Sequence, residues 1–291
     1  MRAASKAPAV SKAPAASKRR SRHARDRRRR CPAPLRGPGS GPGVLLLAGT
    51  GARGRTWHLY QVPALVAAGF RVVTFDTRGI APSDTPPVVT MSDLIADAAG
   101  LIEQLGLGPC RIAGSSMGAR VAAELCLRRP DLVDRAVLMA TFGRPSAFLD
   151  AMSRAERALE EAGTKLPEEY RAAVRAALNL SPRTLSDDRK AQDWLDIFQI
   201  PLPGEVDGAS SRLEADAGVN RFPAYTEIAL PCFVVGFADD LIASARGGRE
   251  VAAAIPGARY TEIPDAGHYG YLEQPELVNA ALIEFLTEEK S

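Results

Sequence analysis

Nowhere in the chain do eighteen apolar residues run together, so no membrane-spanning helix is expected and any membrane contact would be peripheral. Cysteine is sparse. Cys31, Cys110, Cys126 and Cys232 are scattered, with no CxxC pair and no histidine at metal-ligand spacing, so neither a metal site nor a disulfide framework is indicated. Cys110 and Cys232 stand at the edges of apolar strand-like runs and Cys126 in a helical one, settings in which a free cysteine behaves as a small buried hydrophobe. A reducing, cytoplasmic location is the expectation. Acids are nearly missing from residues 1–36, where thirteen of the 37 Lys and Arg face one of the 34 acids, Asp26, for a net charge of +12. The remaining 24 bases and 33 acids leave the rest of the chain at −9. That acidic remainder offers no electrostatic footprint for nucleic acid. No apolar stretch follows the N-terminal charges, which argues against a secretory signal.

The N-terminal stretch repeats SKAPAx, continues as KRRSRHARDRRRR and ends in CPAPLRGPGSGPG. Nothing in it can build a core, so residues 1–42 are expected to be a disordered basic tail. Its Ser, Ala and Arg bias resembles a transit peptide, and is equally what a high-GC bacterial gene produces. The Arg run reads either as an anchor on a polyanion, through counterion release, or as a solvated extension. The second reading is preferred, because the rest of the chain shows no interleaving of aromatic and basic residues.

From residue 43 onward the pattern changes. GVLLLAG (43–49) and RVVTFDTRG (71–79) are apolar, β-branched runs ended by glycine, separated by the helix-like WHLYQVPALVAAGF. A helix over about 91–105 is predicted to open at Thr90 with Asp93 as its capping partner, leading into the strand PCRIAG. MGARVAAELCLRRP then reads as a helix, RAVLMA, CFVVGFA and ARYTEIP as further strands, and RGGREVAAAI as a helix between the last two. Such alternation predicts an α/β protein with a mostly parallel sheet flanked by helices. Between 140 and 232 no strand-like run is found. Four amphipathic stretches, SAFLDAMSRAERALEEAG, PEEYRAAVRAALNL, SDDRKAQDWLDIFQI and SSRLEADAGVNRF, read as helices. The expected organisation is therefore a core of residues 43–140 and 230–291 with a helical cap at 141–229.

The phrase IAGSSMGAR sets Ser116 between Gly114 and Gly118, the pattern of a strand that turns sharply into a helix and exposes the central hydroxyl. Together with LLLAGTG, FDTRGIAPSD, and the pair FADDLIA and DAGHYGYLEQPE, this phrase makes residues from about 43 to 288 resemble the α/β-hydrolase superfamily, in its serine-nucleophile branch. Nucleophile, acid and histidine follow one another in the chain order that this fold uses. The resemblance implies Ser116 as nucleophile and His268 as general base, since a serine hydroxyl needs an adjacent base. Asp240 is implied as the acid that orients the imidazole, preferred over Asp239 because it matches the family's register, although Ser244 stands where a proline is usual. Met117 and Thr50 are the implied backbone donors of an oxyanion hole, with Ala48 replacing the histidine usual before Gly49. Asp76, Arg78, Gly79 and Ser83 match a phrase read as turn support, with Ala81 where glycine is usual. Trp57, Trp194, Phe198, Tyr269 and Tyr271 are candidates for an apolar pocket, though such residues are more often core.

The expected function is a serine hydrolase that cleaves an ester, lactone or thioester through an acyl-enzyme, with no cofactor and no metal. Its expected partner is a small-molecule or carrier-bound acyl substrate; its oligomeric state is open. FDTRGIAPSD and FADD are similar to phrases of actinobacterial-type hydrolases, which suggests a polyketide-like natural-product intermediate. Serine at the elbow argues against the haloalkane dehalogenases and epoxide hydrolases of this fold, which use aspartate there. A cofactor-free perhydrolase, a non-hydrolytic cyclase and a ligand-binding protein are the alternatives on the same fold.

Overall fold

The computed structural model describes residues 35–36, 41–200, 212–214 and 219–288. Among the described residues nine strands run as β1 (Leu35–Arg36), β2 (Gly43–Leu47), β3 (Arg71–Thr74), β4 (Val88–Thr90), β5 (Cys110–Ser115), β6 (Val133–Met139), β7 (Arg212–Glu214), β8 (Cys232–Phe237) and β9 (Arg259–Ile263). The longer helices are α1 (Gln61–Ala67), α2 (Met91–Gln104), α3 (Met117–Arg128), α4 (Ala147–Glu161), α5 (Glu168–Asn179), α6 (Asp188–Gln199), α7 (Ala245–Ala254) and α8 (Pro275–Thr287).

The main sheet has the order β1-β3-β2-β5-β6-β8-β9, and every pairing in it is parallel except that of β1 with β3. Successive side chains of a strand point to opposite faces, and here both faces are buried. Leu45 and Leu47 of β2 join Ile112, Leu138 and Val234 in one core with residues of α2, α3 and α7. Val44 and Leu46 join Ala113, Val137 and Val235 in the other, against Leu65 of α1 and Leu282 of α8. Continuous apolar runs in the sequence are the direct product of this two-sided burial. A third, smaller core of Ala172, Ala176, Leu180 and Phe198 holds α5 against α6.

Local chemistry starts α2 as expected. Thr90 Oγ1 accepts the Asp93 N–H at 3.2 Å, and Asp93 Oδ2 accepts the Thr90 N–H at 3.0 Å. The Thr90 hydroxyl, donating to Asp93 Oδ2 at 2.7 Å, and then the Thr90 N–H hold the Asp93 carboxyl below its ordinary range.

Three expectations are corrected. Leu35–Arg36, within the stretch read as tail, adds an antiparallel strand to the edge of the sheet beside Val73 and Thr74. The outer backbone groups of β3 need partners, and a two-residue extended segment supplies them whatever its own propensity. Apart from Gly41 and Pro42, the rest of the tail lies outside the described residues. Arg212–Glu214, read as part of a helix, is instead a strand parallel to Val88–Thr90, so the stretch between 140 and 232 does contain one. The expected strand over 71–79 also stops at Thr74, where the chain leaves the sheet to form the loop that carries Asp76. Among the described residues no helix is long and apolar enough to cross a membrane.

Candidate active site

β5 ends at Ser115, whose side chain is buried, and α3 begins at Met117. Ser116 between them is half-buried and takes φ 55° and ψ −117°, a region that a residue with a side chain seldom occupies. The corner is held from both sides, by the Ser116 N–H donating to the Met139 carbonyl at 3.0 Å and the Arg120 N–H donating to the Ser116 carbonyl at 3.1 Å. Gly114 and Gly118 are required sterically. A Cβ on Gly114 would lie 2.3 Å from the Gly118 backbone, and one on Gly118 only 2.1 Å from the Leu47 carbonyl oxygen. Strand and helix thus touch backbone to backbone. The N–H of Met117, in the first turn of α3, has no partner within the helix and sits at its positive end.

The loop after β2 closes on the serine. Gly49 accepts the Ala52 N–H at 3.2 Å, and a Cβ on Gly49 would stand 3.4 Å from Ser116 Cβ and 4.0 Å from its Oγ. Thr50 follows, exposed, and among the described residues its N–H has no hydrogen-bond partner. Asp76 fixes the loop by accepting the Gly54 N–H through Oδ1 at 2.8 Å, while its own carbonyl accepts from Ser83 Oγ at 2.6 Å. Arg78 forms a two-pronged pair with Asp97 at 2.8 and 2.5 Å, and Gly79 turns with φ 91°. These four residues support turns.

Ser116, Asp240 and His268 follow the carboxyl ends of β5, β8 and β9, so they share one edge of the parallel sheet. The Ala238 N–H donates to Ile263 and the Asp239 N–H to Ala266, zipping the last two loops together. Asp240 Oδ2 then lies 2.8 Å from His268 Nδ1, and Oδ1 accepts the N–H groups of Ile242 and Ala243, both at 2.8 Å. Both residues are buried, at 4% and 7% exposure. With a carboxylate at Nδ1, that nitrogen carries the proton and Nε2 is left as the basic lone pair. Asp239 does not share the imidazole. Partial burial, and then the charge of Asp265, raise its carboxyl above the ordinary value. Among the described residues Ser116 Oγ and the imidazole are not hydrogen-bonded to each other; in enzymes that pair a nucleophile with a base, this contact is commonly long until substrate binds.

Aromatic residues named from the sequence fall into two groups. Trp57 and Tyr271 are buried core, with ring centroids 4.5 Å apart. Trp194 and Phe198 of α6 both reach Tyr269, at 6.0 Å each, and Tyr269 lies 6.1 Å from the His268 ring. The helical insertion and the histidine loop are therefore in contact. Sequence reading passed over Glu273, which accepts the Gly267 N–H through Oε2 at 2.7 Å and the Ser181 N–H through Oε1 at 2.9 Å. Its partner is 92 residues away, so no spacing marks it.

A family model described as the alpha/beta hydrolase family matches residues 44–281. The chain belongs to the alpha/beta hydrolase family. A Mycobacterium tuberculosis protein provisionally named a non-heme bromoperoxidase, BpoC, is 44% identical to this hydrolase over 87% of this chain and 97% of its own. The crystal structure of BpoC superposes with a TM-score of 0.81 over 91% of this chain and 99% of that one, at 41% identity. The pyrrolizixenacetamide deacetylase of Xenorhabdus hominickii is 28% identical to the hydrolase, over 86% of this chain and 93% of its own. An enol-lactonase from Burkholderia xenovorans, 26% identical, superposes with a TM-score of 0.69 over 86% and 93% of the two chains.

Proposed function

We propose that this hydrolase cleaves an ester, lactone or thioester through an acyl-enzyme on Ser116. The observation that carries the reading is the buried Asp240–His268 pair on the same sheet edge as a serine held at φ 55°. In this mechanism His268 Nε2 takes the Ser116 proton as Oγ attacks the carbonyl carbon, and Asp240 holds the ring and stabilises the imidazolium. The Met117 and Thr50 N–H groups receive the developing oxyanion. As the tetrahedral intermediate collapses, the imidazolium protonates the leaving group. Water, deprotonated by the same nitrogen, then releases the acid and restores Ser116. The insertion at 141–229 serves as a cap, supported by the contacts of Trp194 and Phe198 with Tyr269.

The acyl group comes from a small molecule or a carrier. A polyketide-like thioester is the finer reading, on the resemblance of FDTRGIAPSD and FADD. A reducing cytoplasm suits the free, buried thiols of Cys110, Cys126 and Cys232; burial pushes Cys110 up to about 12.

The name of the relative BpoC favours a second use of the same intermediate. Hydrogen peroxide in place of water would release a peracid, which oxidises bromide without a cofactor.

Pre-steady-state turnover of p-nitrophenyl butyrate tests the acyl-enzyme. A burst of nitrophenolate close to one equivalent per chain, absent from Ser116→Ala, is expected; equal turnover by Ser116→Ala would overturn the reading. Peroxide-dependent bromination of a dione, lost in the same variant, would add the second activity.

A further inference from the structure

The loop that carries His268 is tied to the helical insertion by one carboxylate. Glu273 Oε2 accepts the N–H of Gly267, the residue before the imidazole, at 2.7 Å. Its Oε1 accepts the N–H of Ser181 at 2.9 Å, and Ser181, fully buried, caps the turn Pro182–Leu185 that follows α5. Further contacts reinforce the join. The Tyr269 N–H donates to the Asn179 carbonyl at 3.1 Å, and Arg183 pairs with Asp265 at 2.8 Å. A Cβ on Gly267 would stand 2.5 Å from the Asn179 oxygen, so the two backbones are in direct contact. Asp265 itself turns with φ 53°, and its carbonyl accepts Gln274 Nε2 at 2.9 Å.

Residues 265, 267 and 269 on either side of the imidazole are therefore clamped to residues 179–183. Within the clamp only Glu273 receives an N–H from each side through a single rigid group, and hydrogen bonds to a charged acceptor are the strong ones. We propose that Glu273 is a positioning residue, which orients His268 and couples its placement to that of the helical insertion; this rests on the serine-hydrolase reading above. A displacement of Ser181 is carried through the planar carboxylate to Gly267, and so to the ring. Gln at this position has one acceptor oxygen and turns an NH2 group against an N–H. Asp keeps the charge but is one methylene too short to span both donors.

The test uses the full chain with Glu273→Gln and Glu273→Asp. Active sites are counted by fluorophosphonate titration, kcat per titrated site and KM are read with p-nitrophenyl butyrate, and the His268 Nδ1–H proton is followed by NMR in the phosphonylated enzyme. Both variants are expected to lose about tenfold or more in kcat per titrated site with KM within about twofold, as a sub-ångström misplacement of a general base would give. The proton resonance is expected to shift or broaden. Parent kcat per titrated site with an unchanged resonance in either variant, or a loss confined to the number of titratable sites or to thermal stability, would overturn the proposal. Counting only titratable sites keeps the readout valid when part of a variant fails to fold. Ser116→Ala separates the two readings: turnover surviving there overturns the serine hydrolase, whereas turnover lost there but kept by both Glu273 variants overturns the positioning role alone.

Discussion

Asp240 and His268, 28 residues apart in the chain, meet through a 2.8 Å hydrogen bond, and the other oxygen of the same carboxylate accepts two backbone N–H groups. The acid is immobilised before it meets the ring, which fixes the tautomer as well as the orientation. Asp240→Asn keeps the shape but presents an amide to the ring, so kcat for p-nitrophenyl butyrate is expected to fall on the order of 10³–10⁴-fold.

Asp239→Asn has the opposite expectation. The raised pKa of Asp239, due first to burial and then to Asp265, means that folding favours its protonated form. The cost is absent in acid and appears as pH rises through that raised value. Removing the charge is therefore expected to raise stability to urea at pH 7, to leave it unchanged at about pH 3, below the ordinary aspartate value, and to keep kcat near the parent's. Loss of activity in Asp239→Asn with retention in Asp240→Asn would reverse the roles.

Gly118→Ala tests the contact between α3 and β2. Its Cβ would lie 2.1 Å from the Leu47 carbonyl oxygen, and neither backbone has room to yield. A destabilisation of about 3 kcal/mol, at the upper end for overpacking, is expected in urea unfolding, with activity lost along with the elbow geometry.

Thr50 is proposed to act through its main chain. Thr50→Ala should then stay within about threefold of the parent kcat, because loss of a true oxyanion donor costs about 10²–10³-fold. A drop of the larger size would assign the role to the hydroxyl.

Thr90→Ala removes the cap of α2 while leaving the site untouched. About 1 kcal/mol is expected to be lost, a fall of roughly 2–4 °C in Tm by calorimetry, with kcat unchanged.

Much of this architecture is legible because its causes are local. Parallel strands buried on both faces must be apolar throughout, so GVLLL and CFVVGF announce themselves. Thr90 and Asp93 cap each other across a single turn, and Gly114 and Gly118 flank Ser116 because backbone lies where their Cβ atoms would be. Leu35–Arg36 and Arg212–Glu214 stay hidden, since two or three residues become strand through the edge they meet and carry no period of their own. Asp239 and Asp240 are neighbours in sequence and equal in chemistry; the family register favours Asp240, but the physical cause, the Ile242 and Ala243 N–H groups together with His268, appears in three dimensions. Glu273 is invisible because its partner Ser181 lies within the helical insertion, 92 residues away.

Covalent trapping measures the central claim most directly. Incubation with a fluorophosphonate, followed by peptide mass spectrometry, is predicted to place one phosphonyl group on Ser116, with labelling at least a hundredfold slower in His268→Ala, consistent with the about 10²–10⁴-fold worth of a positioned general base. An unlabelled Ser116, or labelling whose rate ignores the loss of His268, would contradict the account.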